Sequence, residues 1–379
     1  MSRQSAVGSR QGLVEQLRSA GHDGHPVRFS GAGTKLAWGS SVGGEEILRI
    51  EAREIHEHNA GDLTDVVDAG LPLRELQETL AEEGQMLALD PPLGEEERAT
   101  VGGIVATSDS GPLRHRYGSA RDLVVGMTVA LSDGTVAKSG GKVIKNVAGY
   151  DLSKLFTGSY GTVGAILQLS LRLHPLSPEN ATAAGRSSDP TALAAAALEL
   201  SHARIELQSL DVRWEGGTGL VLARFGGTKA SAPADDAAET MKAHGLETEV
   251  SADDAEWWGD QREAQRSASG VVVRVSGVQS QLATVLTLTR DLGARVVGRA
   301  GLGLSWITLP GSGDPLATVG DLRRELAPSP CVVLDAPESL RGSLDVWGPR
   351  DPGAEALDQR VRERFDPAGV CAPGLMRAR

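Results

Sequence analysis

Apolar positions along this chain follow two rhythms, and the rhythm changes often. Residues 12–21 carry apolar side chains at helical spacing, with Gly21 as the stop. Residues 26–29 read as a strand entering the loop Ser30-Gly31-Ala32-Gly33-Thr34-Lys35, and 64–68 alternate like a second strand. Leu73, Leu76 and Leu80 mark a helix that Gly84 ends. Residues 124–131 and 135–137, joined by Asp133-Gly134, predict a hairpin, and 166–173 alternate again. The turn-rich stretch 176–189 reads as a linker. Beyond it come an alanine-rich helix at 191–201, strands near 207–214 and 219–224, a helix near 234–244 and a strand at 248–250. A second β-α-β set follows through 271–275, 279–292, 295–298 and 304–309. The repeated β-β-α-β look predicts a sheet with helices on one face. The fold class is α+β, in two units.

Length and composition narrow the function classes. A chain of 379 residues can bury two cores. No apolar run approaches the ~18 residues of a membrane span. The first eleven residues are polar and lack the apolar core of a signal peptide, so a cytoplasmic location is expected, membrane-peripheral only through partners. The formal charge of −12 argues against a nucleic-acid binder. Cys331 and Cys371 are the only cysteines, too few for an ordinary iron–sulfur cluster.

The densest chemistry lies between residues 99 and 175. Thr100-Val101-Gly102-Gly103, Ala106-Thr107, Ser110-Gly111-Pro112, residues 140–151 and Gly158-Ser159-Tyr160-Gly161-Thr162-Val163-Gly164 set glycines beside small hydroxyl residues. A backbone without Cβ atoms can approach a ligand closely and turn N–H groups toward anionic oxygens. That suits a large phosphate-bearing cofactor. The 30–35 loop lacks the third glycine of the dinucleotide fingerprint and the spacing of a P-loop. By itself it is equally a plain turn, and Gly102 and Gly103 are equally consistent with tight strand–helix packing.

The order of these segments resembles the FAD-binding domain of the vanillyl-alcohol oxidase (PCMH-type) flavoprotein family. Within it, residues 140–152 are most similar to the FAD-binding subunits of bacterial glycolate oxidases. The resemblance implies a PCMH-type FAD-binding domain over 1–177, a linker at 178–190, a smaller α+β cap over 191–355, and a tail, 356–379, returning to the first domain. It implies FAD, non-covalently held. Expected cofactor contacts are Ser30, Gly31, Ala32, Gly33, Thr34, Lys35, Pro91, Thr100, Gly102, Gly103, Ala106, Thr107, Ser110, Gly111, Gly161, Val163 and Ile166. His115 and Cys371 are nominal attachment points, but neither sits in an attachment motif. Two departures stand out: Gln168 where relatives usually carry glutamate, and Ala372 where they carry asparagine.

The resemblance further implies support of glycolate oxidation to glyoxylate within an oxidase complex. A second flavoprotein subunit would carry the substrate site, and an iron–sulfur subunit would take the electrons. The alternatives are a stand-alone enzyme on another 2-hydroxy acid or alcohol, and a non-catalytic assembly subunit. Candidate catalytic residues are Lys145 for a substrate carboxylate, Tyr150 for an α-hydroxyl, and Arg114 in a cluster with Arg116 and Arg121. A structural turn and a solvated loop are the competing readings of these two groups. Trp257-Trp258 is either a substrate mouth, a partner-docking pair or a core contact. None of the eight histidines lies beyond residue 244, so the histidine-rich metal motif of stand-alone relatives has no counterpart and no metal is expected.

Overall fold

The computed structural model describes residues 9–40, 43–141 and 151–376. The N-terminal unit contains α1 (Arg10–Asp23), β1 (Val27–Ser30), β2 (Glu46–Arg49), β3 (Ile55–Asn59), β4 (Thr64–Asp68), α2 (Leu73–Glu82) and β5 (Gln85–Met86). It continues with α3 (Val101–Thr107), α4 (Arg114–Tyr117), α5 (Ala120–Leu123), β6 (Val124–Ala130), β7 (Val136–Gly140), α6 (Ser153–Phe156), β8 (Ala165–Arg172) and β9 (His174–Pro175). Strands β3-β4-β8-β6-β7 form an antiparallel five-stranded sheet, while β1 and β2 pair in parallel beside it. Leu73, Leu76 and Leu80 of α2 face one core, shared with Leu169 and Leu171 of β8.

Helix α1 begins at Ser9, whose hydroxyl accepts from the Gly12 N–H, and ends at Gly24 in the left-handed region. Gly21 therefore does not stop the helix. Its lack of a side chain lets α1 lie on the hairpin turn, since a Cβ there would meet the Ser132 carbonyl at 2.0 Å.

The second unit comprises β10 (Asn180–Ser187), α7 (Pro190–His202), β11 (Ser209–Glu215), β12 (Thr218–Gly226), α8 (Ser231–Ala243), β13 (Glu247–Ser251) and α9 (Ala255–Glu263). Then come β14 (Val272–Ser276), α10 (Leu282–Asp291), β15 (Arg295–Arg299), β16 (Leu304–Thr308), α11 (Pro315–Glu325), β17 (Cys331–Asp335), α12 (Glu338–Arg341) and α13 (Pro352–Phe365). Its sheet runs β13-β10-β12-β11-β15-β16-β14-β17. Each half is a β-α-β-β-α-β unit, and the halves join edge to edge where β11 pairs with β15.

The expected linker at 178–190 is a correction. Most of it is β10, which sits between β12 and β13. Its Asn, Ala, Gly and Ser residues look like turn formers, yet small side chains are what this position requires. A Cβ on Gly185 would lie 2.6 Å from the Met241 sulfur of α8.

Period-2 alternation gives the eight-stranded sheet two unlike faces. Val273, Val275, Val212 and Ile307 point into a core closed by α7, α8, α10 and α11. Val272, Val297, Trp306 and Leu334 point the other way and pack with Trp38 and Tyr160 of the N-terminal unit. Trp258 is a buried core residue there, its Nε1 donating to Thr182 Oγ1 (2.9 Å), and Trp257 packs beside it. The chain then returns: Phe365 meets Phe156 edge-on at 5.8 Å, and Cys371 bridges Val27 of β1.

Candidate cofactor cleft and the charged seam above it

The 30–36 loop leaving β1, the N-terminal turn of α3 and the 159–164 turn before β8 enclose a cleft of about 760 Å³, solvent at its mouth included. Thr100 caps α3, its Oγ1 accepting from the Gly103 N–H at 3.2 Å. Gly31 lies flat against that threonine, where a Cβ would come within 2.2 Å of Oγ1. Gly102 presses on Ala69, where a Cβ would meet Cβ at 2.5 Å. The glycines thus both pack the wall and expose its backbone. Leu375, from the returning tail, supplies another part of the wall.

Of the residues expected to contact the cofactor, Ser30 to Lys35, Thr100, Gly102, Gly103, Ala106, Thr107, Gly161 and Ile166 line this cleft. Pro91, Ser110, Gly111 and Val163 are not among its lining. The Val163 side chain is buried in the α2–β8 core. Gly111 is taken up by Asp90, whose carbonyl would stand 1.8 Å from a Cβ. Arg28, Phe29, Ile50, Ala69, Tyr160 and Gly164 line the cleft without having been singled out. Most are ordinary apolar or strand residues, which carry no local signal. Tyr160 stood within the glycine run and was passed over.

Charge is concentrated where the cleft meets the cap. Lys35 and Asp109 form an ion pair at 3.2 Å, both almost wholly buried. Burial pushes the Lys35 ammonium below its usual range, and Asp109 opposes this. Arg266 grips Asp335 through Nε (2.8 Å) and Nη2 (3.0 Å), stacks 4.9 Å from Trp38, and donates to the Thr34 carbonyl. Arg299 and Asp211, both fully buried, pair across the junction of the two half-sheets. With its amide oriented to satisfy both ends, Gln265 donates to the Ser110 carbonyl (3.0 Å) and accepts from Arg299, tying the seam to the N-terminal unit. Asp90 accepts the Leu113 N–H at 3.0 Å, and burial pushes its carboxyl up to about 7 against the pull of Arg262 and Arg299.

The arginine cluster expected at 114–121 does not converge. Arg114 turns inward and donates to Ser110 Oγ (3.3 Å), Arg116 pairs with Glu206 at 3.2 Å, and Arg121 stays exposed. Lys145 and Tyr150 lie outside the described residues, as do Lys142 and Asn146. Cys371 is buried, and burial followed by Asp366 raises its thiol, so it stays protonated. Neither Cys371 nor His115 lines the cleft. Glu54, His56 and Asp68 gather near α1, but Asp68 already holds Arg10 (2.6 Å) and His56 (3.0 Å), and none of the three lines the cleft.

Comparison with known proteins places this geometry. Residues 5–140 match the family described as FAD binding domain. Glycolate oxidase subunit GlcE of Escherichia coli (strain K12) is 39% identical over 166 residues, 44% of this chain and 47% of that protein. D-lactate dehydrogenase [cytochrome] 1, mitochondrial, of Saccharomyces cerevisiae (strain ATCC 204508 / S288c) is 37% identical over 152 residues, 40% of this chain and 25% of that protein. Glycolate oxidase subunit GlcD of Bacillus subtilis (strain 168) is 33% identical over 152 residues, 40% of this chain and 32% of that protein. The matched stretch thus spans less than half the length of each of these relatives. Among solved structures, alkyldihydroxyacetonephosphate synthase superposes with a TM-score of 0.70 over 97% of this chain and 75% of its own, at 14% identity, which is a likeness of fold. No helix among the described residues is long and apolar enough to cross a membrane. The N-terminal unit is an FAD-binding domain of PCMH type, and FAD is its cofactor.

Proposed function

We propose that this chain is an FAD-dependent oxidoreductase that supports oxidation of a small 2-hydroxy acid, with glycolate to glyoxylate as the leading reaction. It works as the FAD-binding subunit of a glycolate oxidase-type complex. The observation that carries this reading is the glycine-walled cleft between the 30–35 loop and α3, in the stretch shared with 2-hydroxy-acid enzymes.

The cleft fits the cofactor. Its walls combine backbone N–H groups with faces that a Cβ would fill, at Gly31 and Gly102. The loop from Ser30 to Thr34 and the Thr100–Gly103 turn hold the phosphates through their backbone, and Lys35 adds a positive charge that Asp109 keeps in place. Ile166 and Ala106 give the cofactor apolar contact. Pro91, Ser110 and Gly111 act from behind the wall, shaping the turn that Asp90 clamps. When bound, FAD supplies the acceptor for the hydride that leaves the α-carbon. The protein orients the two partners and keeps water from the seam, where Trp38, Val297 and Trp306 lie buried.

Electrons leave to an iron–sulfur subunit, because Cys331 and Cys371 are buried single thiols. A second flavoprotein subunit completes the assembly. The test is the absorption spectrum of the purified chain reconstituted with FAD, before and after anaerobic addition of glycolate or D-lactate. A bound-flavin band that a 2-hydroxy acid bleaches, in the chain alone or once partners are added, is expected. A chain that retains no FAD, or whose FAD no 2-hydroxy acid reduces even within the assembly, overturns the proposal.

A further inference from the structure

The face of the cap sheet opposite α7, α8, α10 and α11 carries several arginines, and their partners decide what they do. Arg299 is matched by Asp211, Arg266 beside them by Asp335, Arg224 by Asp254 and Arg213 by Asp260. Each of these pairs has a structural role that needs no ligand. Arg274 is different. It stands on β14, on the same face as Val272, next to Trp306 of β16 and Val332 of β17. Among the described residues its side chain has no ion-pair or hydrogen-bond partner, and its Nε is closed off from solvent. A half-buried guanidinium without an acceptor is open to an anion, which would also satisfy the buried Nε.

A second unpartnered group faces the same spot. The Tyr160 hydroxyl is buried and makes no hydrogen bond among the described residues. Its ring packs on the apolar cluster that includes Trp306 and Val297, and stands edge-on to Trp347 at 5.4 Å. Arg274 is the charge that most strongly opposes the effect of burial on the phenol. Tyr160 also lines the cofactor cleft, so the two sites share a wall. Its backbone is held at φ 56°, in the left-handed region, with its N–H donating to the Ala106 carbonyl (2.8 Å). A non-glycine residue kept there is typical of a side chain whose position matters to function. Lys35 is already paired with Asp109, a counterpart that Arg274 lacks among the described residues.

We infer that Arg274 and the Tyr160 hydroxyl form a carboxylate-binding site on the cofactor-facing side of the cap sheet, so that this chain selects its own small 2-hydroxy acid. The planar guanidinium takes the carboxylate through two N–H donors. The phenol, which both donates and accepts, meets the neighbouring hydroxyl or carbonyl oxygen. The apolar floor of Trp306 and Val297 favours a short substrate. This inference rests on the preceding reading of the cleft and departs from it in one respect: the substrate site is not left to a homologous partner subunit.

The test is a titration of the FAD-loaded chain with oxalate, a two-carbon dicarboxylate that cannot be dehydrogenated, followed by perturbation of the flavin absorption band. Saturable binding is expected in the wild type. Arg274→Met weakens it about tenfold or more, Arg274→Lys recovers part of the loss, and Tyr160→Phe costs less than Arg274→Met, about threefold to tenfold. FAD affinity, measured separately by titrating the apoprotein, stays within about twofold of wild type in the two Arg274 variants. The inference is overturned if FAD-loaded wild type takes no oxalate, if Arg274→Met binds oxalate as the wild type does, or if the Arg274 variants lose FAD in step with oxalate. That last result would make Arg274 a cofactor residue. A chain that holds no FAD overturns the underlying function and this inference together, which separates the two failures.

Discussion

The two units of this chain present different kinds of chemistry to the space between them. The N-terminal unit offers backbone: Gly31, Gly102 and Gly161 bring main-chain groups to the cleft wall. The cap offers side chains: alternate positions on β11, β14 and β15 carry Asp211, Arg274 and Arg299. Backbone recognition tolerates little change in shape but much change in charge. Side-chain recognition tolerates changes in shape and fails when one charge is removed. Mutations should therefore fail in different ways on the two sides.

The largest effect is expected on the cap side. Arg299→Met leaves Asp211 buried without its counterion, and urea unfolding should show a loss of about 3–5 kcal/mol. Adding Asp211→Asn should recover a good part of it, because the cost lies in the unpaired charge. A double variant no better than the single one would mean that the pair does not behave as a unit.

On the backbone side, Gly102→Val forces two methyl groups toward Ala69, at a cost of about 1–3 kcal/mol, and bound FAD should be lost with it. Gly311→Ala, with open space around it, should leave melting temperature and flavin content unchanged. Retention of FAD by Gly102→Val would show that the wall yields more easily than its contacts indicate.

Asp90 lies between the two sides and gives a pH signature. Burial raises its carboxyl to about 7, above the unfolded value of 3.8, so the folded state holds the proton more tightly. Its contribution to stability is then full below about 4 and lost as pH rises through about 7. Asp90→Asn keeps an oxygen for the Leu113 N–H but removes the ionisation. Its melting temperature relative to wild type should rise between about pH 4 and 7 and level off above, by several degrees. A constant difference across that window would mean that Asp90 does not titrate there.

The smallest effect is at the rim, where Arg116 and Glu206 join the units through an exposed pair. Arg116→Gln should change stability by less than about 1 kcal/mol, an effect that salt removes.

These asymmetries also explain which features the amino-acid sequence revealed. Glycine loops announce themselves locally, so the 30–35 loop and the 100–107 stretch were legible before the fold was known. Periodicity located most cap strands and the repetition between its halves, since β10–β13 and β14–β17 follow one pattern. The β10 strand was missed because small buried residues and turn residues are the same amino acids. Gly21 misled for a similar reason, serving close packing where a helix stop was expected. Arg274 and Arg299 were invisible as a group, for nothing in a linear chain says that two arginines on different strands share a face. Leu375 belongs to the cleft only because the tail returns to β1.

That return has a consequence for how the protein is made. Leu375 is translated after every strand of both sheets, and the Ser40 N–H donates to its carbonyl at 2.9 Å. Domains translated first usually fold first. Here the first domain leaves the ribosome with its cofactor receptacle still missing one wall. Tight flavin loading is therefore expected only once Leu375 is in place, and Leu375→Ala should register as lost colour before it registers as lost structure.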